Sequence, residues 1–207
     1  MSEYQFTKDW FQWAPQVWEQ LIPHLPGEPG KRNFLEIGSF EGRSMTWIVE
    51  NMMVENDWLG CIDTWGGGEE HGEEDMSEVE KRFIHNRAVV WEKFFGRDVK
   101  RLKGSSVDML AMYLSKAHDW PERLHEFHFI YIDGSHIAKD VLTDACMAWP
   151  LLSPKGLMVF DDYLWTPNAR DILHRPKAAI DAFVNLFAEE VEIVHVGYQL
   201  VVRKKGE

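Results

Sequence analysis

Apolar residues along this chain fall into two alternating patterns. Short runs read as apolar segments at Asn33–Gly38, Trp58–Asp63, Val99–Gly104, Phe127–Asp133 and Gly156–Asp162, the third of them mixed with Lys and Arg. Their length and bounding turn residues predict buried parallel strands. Between them, Gly42–Met53, Met76–Phe95, Ser106–Lys116 and Ala138–Leu151 carry apolar residues at helical spacing. A further helix over Pro176–Glu189 leads to the runs Val191–Val196 and Tyr198–Val202, joined at Gly197 as a hairpin. Strands alternating with helices imply an α/β fold, a parallel sheet covered on both faces. The hairpin adds one antiparallel strand.

Ahead of this alternation, Phe6, Trp10, Trp13, Val17 and Leu21 recur at spacings of three and four. They predict a helix over Phe6–Leu25, kinked or divided at Pro15. Pro23, Pro26, Gly27, Pro29 and Gly30 make a linker. Residues 1–30 are therefore expected to be a helical extension, and residues 31–207 the main domain.

Composition narrows the class. The 207 residues are 45% hydrophobic and 27% charged, which is a globular balance. Lys and Arg total 22 against 34 Asp and Glu, a net charge of −12. That excess argues against nucleic acid and anionic membranes as partners. Seven of the acids lie between Glu69 and Glu80 with no Lys or Arg among them before Lys81, and read as an acidic loop running into a helix. No leader and no membrane-length apolar run is visible, so a cytoplasmic protein is expected. Cys61 and Cys146 are too few for a disulfide framework, and both read as buried thiols.

In parallel sheets, ligands bind beyond the carboxyl ends of the strands. The first strand ends in Glu36-Ile37-Gly38-Ser39-Phe40-Glu41-Gly42-Arg43-Ser44. Dinucleotide sites want a second glycine two residues after the first, where Phe40 stands here. Glu36 and Glu41 also suit a cationic ligand better than a phosphate. S-adenosylmethionine, with an ammonium and a sulfonium, fits that description. The second strand ends at Asp63, 25 residues after Gly38, where a carboxylate can accept from both ribose hydroxyls. Ser105 and Asp108 form a capping-box pattern at the third strand end, with Ser106 placed for an adenine edge.

The fourth strand ends Asp133-Gly134-Ser135-His136 and the fifth ends Asp161-Asp162-Tyr163. Neighbouring strands lie about 5 Å apart, so three carboxylates would converge. Like charges repel there, and a hard divalent ion such as Mg²⁺ relieves them. A substrate hydroxyl on that ion is acidified, and His136 is placed to take its proton.

These residues together resemble class I S-adenosylmethionine-dependent methyltransferases. The resemblance covers about Asn33 to Arg203. It is similar in detail to the small group with an Asp-Gly-Ser-His signature and to the cation-dependent, catechol-type O-methyltransferases. It implies a Rossmann-like, doubly wound sheet of seven strands in the order 3-2-1-4-5-7-6, with strand 7 antiparallel. It further implies that Glu36, Gly38, Ser39, Phe40 and Gly42 line the methionine end of the cofactor, with Ser44 reaching its carboxylate. Asp63 holds the ribose, and Ser105 and Ser106 lie at the adenine. Asp133 flanks the cofactor and, with Asp161 and Asp162, matches the metal positions. Catechol-type enzymes usually carry Asn and Lys where this chain has Asp162 and His136.

Trp65, Tyr163 and Trp165 follow these strand ends and are expected to wall the pocket of a small-molecule acceptor. Trp47, Trp58, Trp91 and Trp149 read as core, and Trp10 and Trp13 as core or lid contacts. His71 reads as solvated. His125-Glu126-Phe127-His128 lies at the wrong end of the sheet for catalysis and reads as structural. Lys155-Gly156 reads as a turn before the fifth strand. The acceptor's identity stays open among sugars, catechols, polyketides and amino-acid derivatives. A homodimer is also open. The rival readings are an NAD-dependent oxidoreductase on a similar sheet and a non-catalytic nucleoside-binding protein.

Overall fold

The structure, a computed structural model, describes residues 3–68, 71–72, 74–115, 126–166 and 171–206. Its sheet contains β1 (Asn33–Ile37), β2 (Trp58–Asp63), β3 (Asp98–Lys103), β4 (Phe127–Ile132), β5 (Leu152–Phe160), β6 (Val191–Val196) and β7 (Leu200–Lys204). The order is β3-β2-β1-β4-β5-β7-β6. β1 to β5 pair in parallel, and β7 runs antiparallel to both β5 and β6. This is the Rossmann-like methyltransferase topology. Strand order reverses between β1 and β4, which opens a crevice at their carboxyl ends.

Among the described residues, six α-helices lie between or beside the strands: α1 (Ala14–Leu21), α2 (Arg43–Asn51), α3 (Met76–Lys93), α4 (Ser106–Ser115), α5 (Ala138–Ala148) and α6 (Pro176–Leu186). Alternate strand residues feed two separate cores. Phe34, Phe129, Tyr131 and Val159 pack with Trp18 of α1, Met45 of α2 and Phe83 of α3. Leu35, Ile130, Ile132 and Phe160 pack with Leu110 of α4, Ala145 of α5 and Phe183 of α6. The central strands are buried on both faces, which is why they read as nearly continuous apolar runs, whereas the edge strand β3 exposes Lys100 and Lys103.

The N-terminal segment departs from the expected helix. Pro15 stands in the first turn of α1 and starts the helix rather than kinking it. Residues before it run as an irregular strap. Trp18 nonetheless belongs to the first core. It is fully buried, edge-on to Tyr131 at 4.8 Å, and donates to Gln199 at 2.8 Å.

Three further expectations are corrected. Lys155-Gly156 lies inside β5, where the register against β4 shifts between Phe127 and Phe129. Trp91 is 52% exposed, because the apolar face of α3 is carried by Val79, Phe83 and Val90. Cys146 is exposed on α5, and only Cys61 is buried. The expected ends of two features, Lys116 and His125, lie outside the described residues, as do Glu69, Glu70 and Glu73. The rest of the acidic run is engaged at and around the start of α3. Glu74 pairs with Lys8 at 2.9 Å, Asp75 caps the helix, and Glu80 pairs with Arg101 and Lys103. Among the described residues no helix is long and apolar enough to cross a membrane.

Candidate active site

A cavity of about 840 Å³ opens at the carboxyl ends of the strands. One half is built on β1, β2 and β3. β1 leads through Gly38–Gly42 into α2. Gly38 has φ +86, and a Cβ there would lie 2.0 Å from the Asp133 carbonyl oxygen. Only glycine lets the ends of β1 and β4 approach this closely. Asp63 then holds the loop. Its Oδ2 accepts from the Ser39 and Phe40 amides, both at 2.9 Å, and its Oδ1 accepts from the Trp65 amide at 2.6 Å. Phe40 is held at φ 47, a strained value for a side-chain-bearing residue.

Glu36 lies beneath this loop rather than in the cavity wall. It is fully buried on β1 and accepts from the hydroxyls of Ser39, at 2.5 Å, and Ser44. Burial raises its pKa to about 7, against the opposing effect of those hydroxyls. Ser39 and Ser44 themselves reach the cavity. Glu36 is thus corrected from a ligand contact to a support for two of them. Gly42 is also absent from the wall. It sits at φ +80 as the N-cap of α2, where a Cβ would meet Met45 Cε at 2.7 Å. At the third strand end, Ser105 Oγ donates to Asp108 at 2.6 Å and accepts from its amide at 3.1 Å, so the N-cap half of the capping box forms and Asp108 closes on the hydroxyl. Ser105 and Ser106 both line the cavity.

The other half is built on β4, β5 and β7. The Tyr131 hydroxyl bonds to Asp133 at 3.0 Å and to Asp161, standing between the two carboxylates. Asp162, at φ 55, meets His136 Nε2 and accepts from Tyr198 at 2.7 Å. Burial, followed by the charges of Asp161 and Asp162, pushes the pKa of Asp133 well up. Asp161 is raised too, by burial and then by Asp162. The His136 ring stacks on Trp165 with centroids 4.2 Å apart and planes 16° from parallel. Three carboxylates at adjacent strand ends are the hard oxygen donors a divalent cation prefers. In the conformation described, no three His, Cys, Asp or Glu side chains form a metal-holding group among the described residues. Tyr131, His136 and Tyr198 take up the carboxylate oxygens instead.

Two residues expected in the acceptor pocket lie elsewhere. Trp65 is 4% exposed, packs on Phe83 at 4.8 Å and donates to the Phe40 carbonyl at 2.9 Å. The Tyr163 hydroxyl donates to Asp181 at 2.8 Å and accepts from Lys177 at 2.7 Å, on the α6 side. Trp165 does line the cavity, with Asp133, His136, Asp161 and Asp162.

The strap supplies an unforeseen wall. Thr7 bonds to Glu41 through its amide at 2.6 Å and its hydroxyl at 2.7 Å, and Asn86 clasps Gln5 from both sides. This lays Trp10 against Phe40 at 5.0 Å, with His71 stacked on Phe40 at 5.2 Å. His71 is therefore a wall residue, not a solvated one. Trp10 and Trp13 are 57% and 69% exposed and both line the cavity, so neither belongs to the core. Tyr131, Tyr198 and Asp144 also face the cavity without having been foreseen. Their signal is absent from local pattern: Tyr131 sits in an apolar strand run, Tyr198 in a hairpin turn and Asp144 mid-helix. His128 is structural, its Nδ1 accepting from the Asn33 amide at 3.0 Å.

A parallel sheet with an antiparallel seventh strand, and a glycine loop leading to an acidic residue at the second strand end, define a class I methyltransferase domain. Residues 35–163, more than half of the chain, match the family described as a methyltransferase domain, and the chain belongs to that family. An uncharacterized protein R132 from Acanthamoeba polyphaga mimivirus is 25% identical over 153 residues, 72% of this chain. The chain spans 61% of that relative's length. An O-methyltransferase from Bacillus cereus, solved with S-adenosylhomocysteine, superposes with a TM-score of 0.54 at 19% identity, covering 97% of this chain and 93% of the other. MycE, a methyltransferase of the mycinamycin biosynthetic pathway solved with Mg and S-adenosylhomocysteine, gives 0.57 at 18% identity, covering 98% of this chain and 51% of the other.

Proposed function

We propose that this methyltransferase moves a methyl group from S-adenosylmethionine to a hydroxyl oxygen of a small molecule, in the manner of the Asp-Gly-Ser-His group and of catechol-type enzymes. One observation carries the reading. A single cavity joins the Gly38 loop and Asp63 to the His136–Asp162 pair. Donor site and base site thus face each other across one crevice.

In this reading the adenosine lies along Asp63, Ser105 and Ser106. The methionine end lies over Gly38, Ser39 and Phe40, and Glu36 acts through the hydroxyls it fixes. A carboxylate has about four acceptor positions, so Asp63, bonded to three amides, retains one for a ribose hydroxyl. Acids around the cavity favour a sulfonium, whose charge disappears as the reaction proceeds. The acceptor oxygen attacks the methyl carbon as the carbon–sulfur bond breaks, and S-adenosylhomocysteine leaves as a neutral thioether. His136 takes the hydroxyl proton. Asp162 on its Nε2 orients the ring and stabilises the imidazolium. Trp165 fixes the ring plane by stacking. Alignment of oxygen, carbon and sulfur is the protein's main contribution.

Asp133, Asp161 and Asp162 are the residues that would hold a divalent cation such as Mg²⁺, which would acidify and orient the acceptor hydroxyl when bound.

Isothermal titration tests the donor assignment. S-adenosylhomocysteine is expected to bind the wild type, and Asp63→Ala to weaken that binding by about 100-fold. Absence of wild-type binding, with or without Mg²⁺, overturns the reading.

A further inference from the structure

Asp144 takes no part in the chemistry above, yet it faces the same cavity. It lies on α5, is 3% exposed and still contributes to the wall. Two segments lie beside its carboxylate. A Cβ built on Gly134, just beyond β4, would lie 3.7 Å from Asp144 Oδ2. The Ser106 side chain, at the start of α4, acts on it as a hydrogen-bond donor. Asp140, one turn earlier on α5, adds a like charge. Among the described residues, the Lys and Arg in the wall are Lys8 and Arg43, which pair with Glu74 and Asp9 beside the strap.

A buried carboxylate with a like charge and one hydroxyl as neighbours is costly in an empty cavity. It becomes favourable when a ligand brings an N–H donor. Asp63 and Ser106 place the nucleoside at this end. An adenine joined to ribose carries only one N–H group, its exocyclic amine.

We propose that Asp144 is the residue that reads the adenine, its carboxylate accepting a hydrogen bond from the exocyclic amine beside Ser106. The inference rests on the S-adenosylmethionine assignment above. It makes Asp144 a specificity residue, remote from the transferred methyl group. An inosine base presents a carbonyl oxygen at the same place, so two acceptors would face each other and binding would fall.

The test is isothermal titration of S-adenosylhomocysteine and S-inosylhomocysteine against wild type and Asp144→Asn. Wild type is expected to prefer the adenine compound by about 100-fold. Asp144→Asn keeps an acceptor and gains an amide donor for the inosine carbonyl, so the preference should shrink to about tenfold or less. An undiminished preference in Asp144→Asn overturns the proposal. Equal wild-type affinity for the two compounds also overturns it, and that arm does not depend on the variant folding. Wild type that binds neither compound removes the cofactor assignment itself, a result distinct from lost discrimination.

Discussion

In the half of the cavity built on β1, β2 and β3, Asp63 bonds to backbone amides of Ser39, Phe40 and Trp65. In the half built on β4, β5 and β7, Asp133, Asp161 and Asp162 meet the side chains of Tyr131, His136 and Tyr198. Both halves hold a residue at positive φ, Phe40 in one and Asp162 in the other. Backbone partners are fixed by the strands on either side and cannot rotate away. Side-chain partners reorient with a change of rotamer or protonation. The first half is suited to a constant ligand. The second is suited to a reaction, in which a proton must move.

The largest effect should come from breaking the backbone-built half. Gly38→Ala places a methyl group 2.0 Å from the Asp133 carbonyl oxygen at φ +86. A cost above about 5 kcal/mol is expected, read as loss of the urea transition. Gly72 is a control, since at φ +55 no atom of the described residues lies within 4 Å of its added Cβ. Near-equal cost at the two sites would show that close approach does not constrain the Gly38 loop.

The side-chain-built half should respond in rate and leave binding intact. His136→Ala is expected to lower kcat by about 10³-fold while S-adenosylhomocysteine affinity stays within about twofold. A parallel loss of cofactor affinity would show that the two halves are not separable.

Glu36 sharpens the comparison through pH. Its pKa rises from 4.5 to about 7 on folding, chiefly by burial. A raised folded pKa contributes stability in full below pH 4.5, and that contribution is lost as pH climbs through about 7. Glu36→Gln keeps one acceptor, can meet the other serine only by donating to its hydroxyl oxygen, and does not titrate. Between pH 5 and pH 8 the wild type should therefore lose up to about 3 kcal/mol relative to the variant, measured by urea unfolding. Parallel stability curves would mean that Glu36 stays ionised throughout.

Much of this molecule was legible because it is written locally. Largely apolar runs mark the central strands, since a strand buried on both faces has few polar positions, Glu36 on β1 being one. The capping box at Ser105 and Asp108 needs only residues three apart. The strap was misread because Phe6, Trp10 and Trp13 have helical spacing, while Thr7 and Gln5 are held by distant Glu41 and Asn86. Trp65 was misplaced for a similar reason: proximity to Asp63 in sequence does not tell which way a ring points. Asp144 left no signal, since one acid on an amphipathic helix ordinarily faces water.

The sequence by itself determined the alternating elements, the family resemblance and the residue types at each strand end, because periodicity and turn chemistry act over a few residues. Tertiary structure alone decided which of those residues share a wall. Glu36 and Ser44 meet through the turn between β1 and α2, His136 and Asp162 across adjacent strand ends, and Asp144 and Ser106 across neighbouring helices. Such pairings depend on strand order and helix packing, which bring together groups that no local pattern connects.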